Sequence, residues 1–183
     1  MISITAMIVL ALAAAVGLLL VYAATRPGSF QIARSASINC TPDQLFPLIS
    51  DLKSVNTWNP YALRDPNAKA SYSGPASGKG AAHAFEGPKS GTGRLEIVDA
   101  TAPAQVTMRL TMVKPMQADN TVRFTLEPRG HSTTVTWAMD GKTPFLGKIV
   151  SLFLDCDRMV GKDFEEGLAN LRLMAERSQS NPA

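Results

Sequence analysis

The sequence predicts an α+β domain: an antiparallel sheet covered by one long C-terminal helix, carried behind a single N-terminal transmembrane helix. Three observations predict it. Residues 1–25 have no charged side chain, so the rest of the 183-residue chain carries all 18 Lys and Arg and all 15 Asp and Glu. Runs within residues 106–139 alternate apolar and polar with period two, the mark of strands with one dry and one wet face. Residues 149–171 repeat apolar side chains at spacings of three and four, the mark of an amphipathic helix.

Residues 2–24 are an apolar run. At about 1.5 Å per residue it spans roughly 35 Å as a helix, more than a hydrocarbon core of about 30 Å. A cleaved secretory signal is the competing reading. It wants a basic leader, an apolar stretch of roughly 7–15 residues and an Ala-x-Ala-like site, and these fit poorly here. The expectation is a retained anchor over 1–25 and a short breaker over 26–29, with Tyr22 at the membrane interface. Arg26 and Arg34 follow the span and the first acid is Asp43. The positive-inside rule then places the domain in the cytoplasm.

The remainder, 30–177, is long enough for one core, and 178–183 reads as a frayed tail. Phe30, Ile32, Ala36 and Ile38 share one strand parity, interrupted by Arg34. Thr41, Pro42 and Gln44 form a helix start of capping-box type. Leu45, Phe46 and Ile49 give that helix its apolar side. A second helix or turn covers 52–58 and ends at Asn59-Pro60. From 68 to 141 the chain reads as strands in series, punctuated by glycines and prolines. Val106, Met108, Leu110 and Met112 face one way, as do Val122, Phe124 and Leu126, and Val135, Trp137 and Met139. Residues 128–131 make a hairpin turn. One helix over 144–177 ends the domain, its stripe being Ile149, Leu152, Phe153, Cys156, Val160, Phe164, Leu168 and Leu171. Such a stripe needs a partner, and the dry sheet face is the large one available.

Composition excludes a disordered chain, a collagen and a disulfide scaffold. Cys40 and Cys156 make no metal or disulfide framework and read as small buried hydrophobes. The net charge of +3 and pI near 9.0 come without a Lys/Arg cluster, so nucleic acid is not an expected partner. No metal site and no cofactor motif is present.

The opening Phe30-x-Ile32-x-Arg34-Ser35-x-x-Ile38, then Thr41-Pro42-x-x-Leu45-Phe46-x-x-Ile49-x-Asp51, then Trp58-Asn59-Pro60, resembles the START-like (SRPBCC) superfamily, in particular its polyketide cyclase/dehydrase-type group. Gly91-x-Gly93, the strand Thr134-Val135-Thr136-Trp137-x-Met139-x-Gly141 and the helix segment Phe164-x-x-Gly167-Leu168-x-x-Leu171 fit the same pattern. The resemblance implies a helix-grip fold, a curved antiparallel sheet wrapped around the last helix with a cavity between them. It also implies a hydrophobic or amphipathic ligand. It implies no particular reaction, because that superfamily includes carriers, sensors and enzymes.

The candidate ligand-binding residues are Trp58, Asn59, Tyr61, His83, Phe85, Met108, Leu110, Met112, Trp137, Met139, Cys156 and Met159. Trp58 reads equally well as a wall of the cavity mouth or as a plug in the core. His83 shares its strand parity with Phe85 and so points to the dry side, where it is the one candidate acid/base. No acid or nucleophile accompanies it at a diagnostic spacing. The leading expectation is a membrane-anchored carrier or sensor that binds a lipid or other hydrophobic small molecule. The alternatives are a small cyclase/dehydrase-like enzyme using His83 and a protein-interaction module.

Overall fold

The computed structural model describes residues 3–152 and 154–180. Thirteen elements follow one another along the chain. Helix α1 (Ile4–Thr25) is long and apolar enough to cross a membrane. Its side chains are exposed apart from half-buried Ala6 and buried Ala23, and Arg26 lies over the Tyr22 ring at its end. Strand β1 (Ser29–Ile38) follows, then the short helices α2 (Pro42–Ser50), α3 (Leu52–Trp58) and α4 (Pro60–Leu63). Strands β2 (Lys69–Ser73), β3 (Ala82–Gly87), β4 (Gly91–Thr101), β5 (Gln105–Lys114), β6 (Ala118–Arg129) and β7 (Ser132–Lys142) come next. Helices α5 (Phe145–Val150) and α6 (Cys156–Ser180) end the described chain.

All strands pair antiparallel in one seven-stranded sheet of order β1-β7-β6-β5-β4-β3-β2. The chain meanders from β2 to β7 and then closes on β1, which the three short helices had separated from the rest. Two irregularities in the β4–β5 register, at Thr92/Gly93 and Ile97/Asp99, bend β4. Bent there, the sheet is concave on the face that carries Val106, Met108, Val122, Phe124, Val135 and Trp137. These are the side chains whose period-two alternation predicted a dry face.

Helix α6 lies in that concavity. Phe164, Leu168 and Leu171 are buried on it, and each such burial is worth roughly 1.5–3 kcal/mol. Arg34, which interrupts the apolar parity of β1, has a structural reason. Its guanidinium reaches across to Asp157 at 2.9 Å and Glu165 at 3.0 Å, tying the sheet edge to α6. The N-terminus of α2 shows the expected cap, with the Gln44 side chain accepting the Thr41 N–H at 3.0 Å.

The single helix expected over 144–177 is two helices. Ser151 ends α5, and the Asp155 carboxylate accepts the Arg158 N–H at 3.0 Å, starting α6 as an N-cap does. Ile149 and Leu152, expected on the sheet, are only half-buried, and α5 lies beside α1 instead. Phe153 lies outside the described residues. The first turn of α6 meets β1 through Arg34 and Asp157, while Cys156 and Met159 of the same turn are exposed, contrary to the buried positions expected of them. Cys40 is buried as expected. The expected tail is helical through Ser180, and 181–183 lie outside the described residues.

Gly167 sets how close α6 comes to the sheet. A Cβ there would stand 2.5 Å from the Trp137 ring and 3.0 Å from the Pro60 ring, both held by their own packing. Gly167→Ala is therefore expected to destabilise the domain by roughly 1–3 kcal/mol through overpacking, although alanine is the better helix former. Urea unfolding of the two proteins checks this. Unchanged or raised stability would contradict the close approach.

Candidate functional site

A cavity of about 620 Å³ lies between the concave face of the sheet, the α3–α4 region and Phe164 of α6. Its walls are mostly apolar: Phe85, Leu95, Met108, Leu110, Met112, Val122, Phe124, Trp137 and Met139 from the sheet, with Val55 and Phe164 from the helices. A cluster of rings closes one end. Trp137 stacks on Phe164 with centroids 4.3 Å apart and planes 8° apart. Phe124 packs against Trp137 at 5.0 Å, and Trp58 meets both edge-on at 5.8 Å. Beyond that cluster the space between sheet and helices is filled; before it, the space is hollow.

Polar groups meet the hollow at a few points. His83, only 7% exposed, stacks on Tyr72 of the adjacent strand at 4.8 Å. The Asn56 amide donates to the Tyr72 hydroxyl at 2.8 Å and lies 3.3–3.4 Å from both His83 ring nitrogens. None of these His83 partners is a carboxylate. Burial pulls the His83 pKa below its ordinary value, so the ring is neutral near pH 7. A neutral imidazole offers one donor and one acceptor. Trp137 supplies a second feature: its indole N–H is buried and has no hydrogen-bond partner among the described residues. A buried donor left unpaired costs about 1–3 kcal/mol; the N–H is shut off from the hollow, although the Trp137 side chain lines it. Tyr61 stands at the mouth, where burial and then the Asp163 carboxylate push its phenol upward, so it stays protonated.

Asp65 ties one lip of the cavity to the other. Its carboxylate accepts the Ser90 N–H at 2.8 Å, the Ser90 hydroxyl at 2.8 Å and the Lys89 N–H at 3.0 Å. The segment after α4 is thereby fastened to the β3–β4 turn. These bonds, the Ser90 N–H foremost, hold the Asp65 carboxyl below the usual carboxylate range. The fastening therefore persists through neutral pH and is lost only in strong acid.

Among the residues expected from sequence, the structure brings Asn59, Tyr61, His83, Phe85, Met108, Leu110, Met112, Trp137 and Met139 to the cavity. Trp58 is behind the wall. It is 1% exposed, donates its indole N–H to the Leu48 carbonyl at 3.0 Å and acts as the core plug. Cys156 and Met159 lie on the first turn of α6 and do not line the cavity. Sequence reading missed Asn56, Tyr72 and Asn120. Asn56 stands three residues before Asn59, a spacing that was visible. Tyr72 is found only through its register opposite His83.

The architecture and its hollow define a START-like, helix-grip domain. A profile of the family described as polyketide cyclase / dehydrase and lipid transport matches residues 29–176, and the chain belongs to that family. No curated protein matches the sequence. Protein CV1439 from Chromobacterium violaceum has a similar structure, with TM-score 0.57 at 10% identity, covering 82% of this chain and 99% of that one. CalU16 from Micromonospora echinospora superposes with TM-score 0.52 at 16% identity, covering 80% and 74%. DynU16, from the dynemicin biosynthetic locus, gives TM-score 0.55 at 14% identity, covering 80% and 47%. At these identities the likeness is one of fold.

The His83 environment predicts a pH dependence with a definite sign. Unfolded, His83 takes up a proton below about pH 6.5; folded, it resists until lower pH. Stability contributed by the neutral ring is thus complete above about pH 6.5 and is lost as pH falls below it. Thermal melts from pH 7.5 to 5 should show a decline that is shallower in His83→Gln. Equal slopes would show that His83 is as solvated in the fold as out of it.

Proposed function

We propose that the domain binds a lipid or another hydrophobic small molecule in the cavity between sheet and α6, and that α1 holds it at a membrane as a carrier or sensor. The observation that carries this reading is the cavity, about 620 Å³ of apolar-walled space. The family's description, which includes lipid transport, supports the same class of ligand. Neutral His83 at the cavity wall favours a ligand with a hydrogen-bonding oxygen over a plain hydrocarbon. The anchor reading rests on α1, apolar and exposed along nearly its whole length. The cytoplasmic side is supported by Arg26 directly after α1. Arg34 contributes less, since Asp157 and Glu165 hold its charge.

An acid/base role for His83 is the competing reading, favoured by its burial at the cavity wall. The two separate by experiment. A ligand at about 100 times its Kd stabilises the fold by about 2.7 kcal/mol. Screening fatty acids, sterols, isoprenoids and aromatic polyketides by thermal melting should therefore find a clear upward shift. Leu110→Trp, which fills the cavity, should abolish the shift, while His83→Gln should leave affinity within a few-fold. A substrate whose turnover falls by about 100-fold or more in His83→Gln, the scale of general acid–base catalysis, would instead make the protein an enzyme.

A further inference from the structure

The strand registers place several separate segments at one end of the sheet. Ser29 pairs with Lys142, Gly141 with Asn120, Ala118 with Met112, and Lys114 with Thr92. The β3–β4 and β5–β6 turns therefore lie at the same end as the start of β1. That is also where α1 enters the domain, the Thr143 N–H bonding the Gly28 carbonyl at 2.9 Å, and where α5 leaves the sheet beside α1. The cavity reaches the same end through Met112, Asn120, Lys89 and Ser90, and Asp65 fastens the other lip there.

Exposed apolar side chains gather at this end. Leu63 is 49% exposed, Val113 54%, Met116 56%, Phe145 49% and Leu154 50%, with Met159 close by on the first turn of α6. Outside α1, the other exposed large apolar side chains among the described residues are Tyr61, Tyr72, Val98 and Leu173. Lys89, Lys114 and Lys142 stand among the apolar residues, with Lys148 on α5. None of the four forms an ion pair among the described residues. Apolar side chains ringed by lysines without a close ion pair, Lys89 and Lys142 interacting with Asp65 and Asp119 only at longer range, are the composition of a surface that seats on an anionic bilayer. The linker from α1 to β1 spans only 26–28, so a bilayer crossed by α1 lies directly against this face.

We propose that the domain docks mouth-down on an anionic membrane surface. Leu63, Val113, Met116, Phe145 and Leu154 enter the headgroup boundary, and the lysines meet lipid phosphates. The cavity then exchanges its occupant with the bilayer and not with water. This rests on the reading of α1 as an anchor, and the test separates the two.

The full chain is reconstituted into phosphatidylglycerol and phosphatidylcholine vesicles containing lipids brominated on their acyl chains. A tryptophan is added singly by Met116→Trp, Phe145→Trp, Leu12→Trp or His131→Trp, all at positions outside the core. His131 lies in the β6–β7 turn at the opposite end of the sheet. Wild type, with Trp58 and Trp137, gives the background. The expected result in phosphatidylglycerol is strong added quenching at positions 116 and 145, approaching that at 12, and none at 131. Quenching at 116 and 145 should weaken in phosphatidylcholine and in high salt. If position 12 is quenched while 116 and 145 match 131, docking is overturned and the anchor stands. If 12 is not quenched, the anchor fails and the docking with it. Equal quenching at 116 and 145 in both lipids, insensitive to salt, overturns the anionic surface.

Discussion

The stack of Trp137 on Phe164 is the contact on which the shape of this domain depends. It joins the middle of the sheet to the middle of α6 face to face. Phe124 and Trp58 buttress it from the sheet and from α3. Two large rings in contact fix the distance between sheet and helix at that point, and Gly167 lets them meet without a side chain in the way. On the side toward Ile38, the gap is filled by Leu45, Ile49, Val135, Leu168 and Leu171. On the other side the bent β4 carries the sheet away from the helix, and no large side chain fills the gap. The hollow thus follows from one rigid spacer and one curved strand.

The polar groups of the cavity fall into two kinds. Asp65 is satisfied three times over and serves the fold, fastening the lip. The Trp137 N–H and His83 are different. The first is buried without a partner, and the second is buried neutral against a tyrosine ring. Both spend folding free energy that a better-packed core would keep, and His83 borders the space where a ligand would sit. Exposed charge behaves conventionally: Arg34 and Arg64 clamp α6 through acids on its outer side.

Much of the fold was legible because its signals are local and periodic. The alternation through Met108, Val122 and Trp137 marked the dry face, and the Thr41–Gln44 cap marked the start of α2. The charge-free run marked α1. The break between α5 and α6 was hidden because an apolar stripe continues through it; the deciding group is the Asp155 carboxylate, which periodicity does not register. For the same reason Cys156 falls on the predicted stripe, whereas the structure leaves it exposed. At the site, strand parity accounts for seven of the nine expected residues that reach the cavity; Asn59 and Tyr61 come from α4 and its N-cap. Trp58 was misplaced because wall and plug differ by one layer of packing, which depends on Phe124 and Trp137, distant in sequence. Asp65 gave no signal at all: its partners are backbone N–H groups of a turn more than twenty residues away.

The central claim is that the hollow before the Trp137–Phe164 stack holds a specific apolar ligand. Native mass spectrometry of the full chain, purified gently in detergent from the cells that make it, addresses it most directly, with solvent extraction to identify what is released. The account predicts one discrete non-covalent adduct that extraction removes, an apolar molecule bearing a hydrogen-bonding oxygen and small enough for about 620 Å³. The bare protein mass alone, or an adduct that persists unchanged when Leu110→Trp fills the cavity, would contradict it.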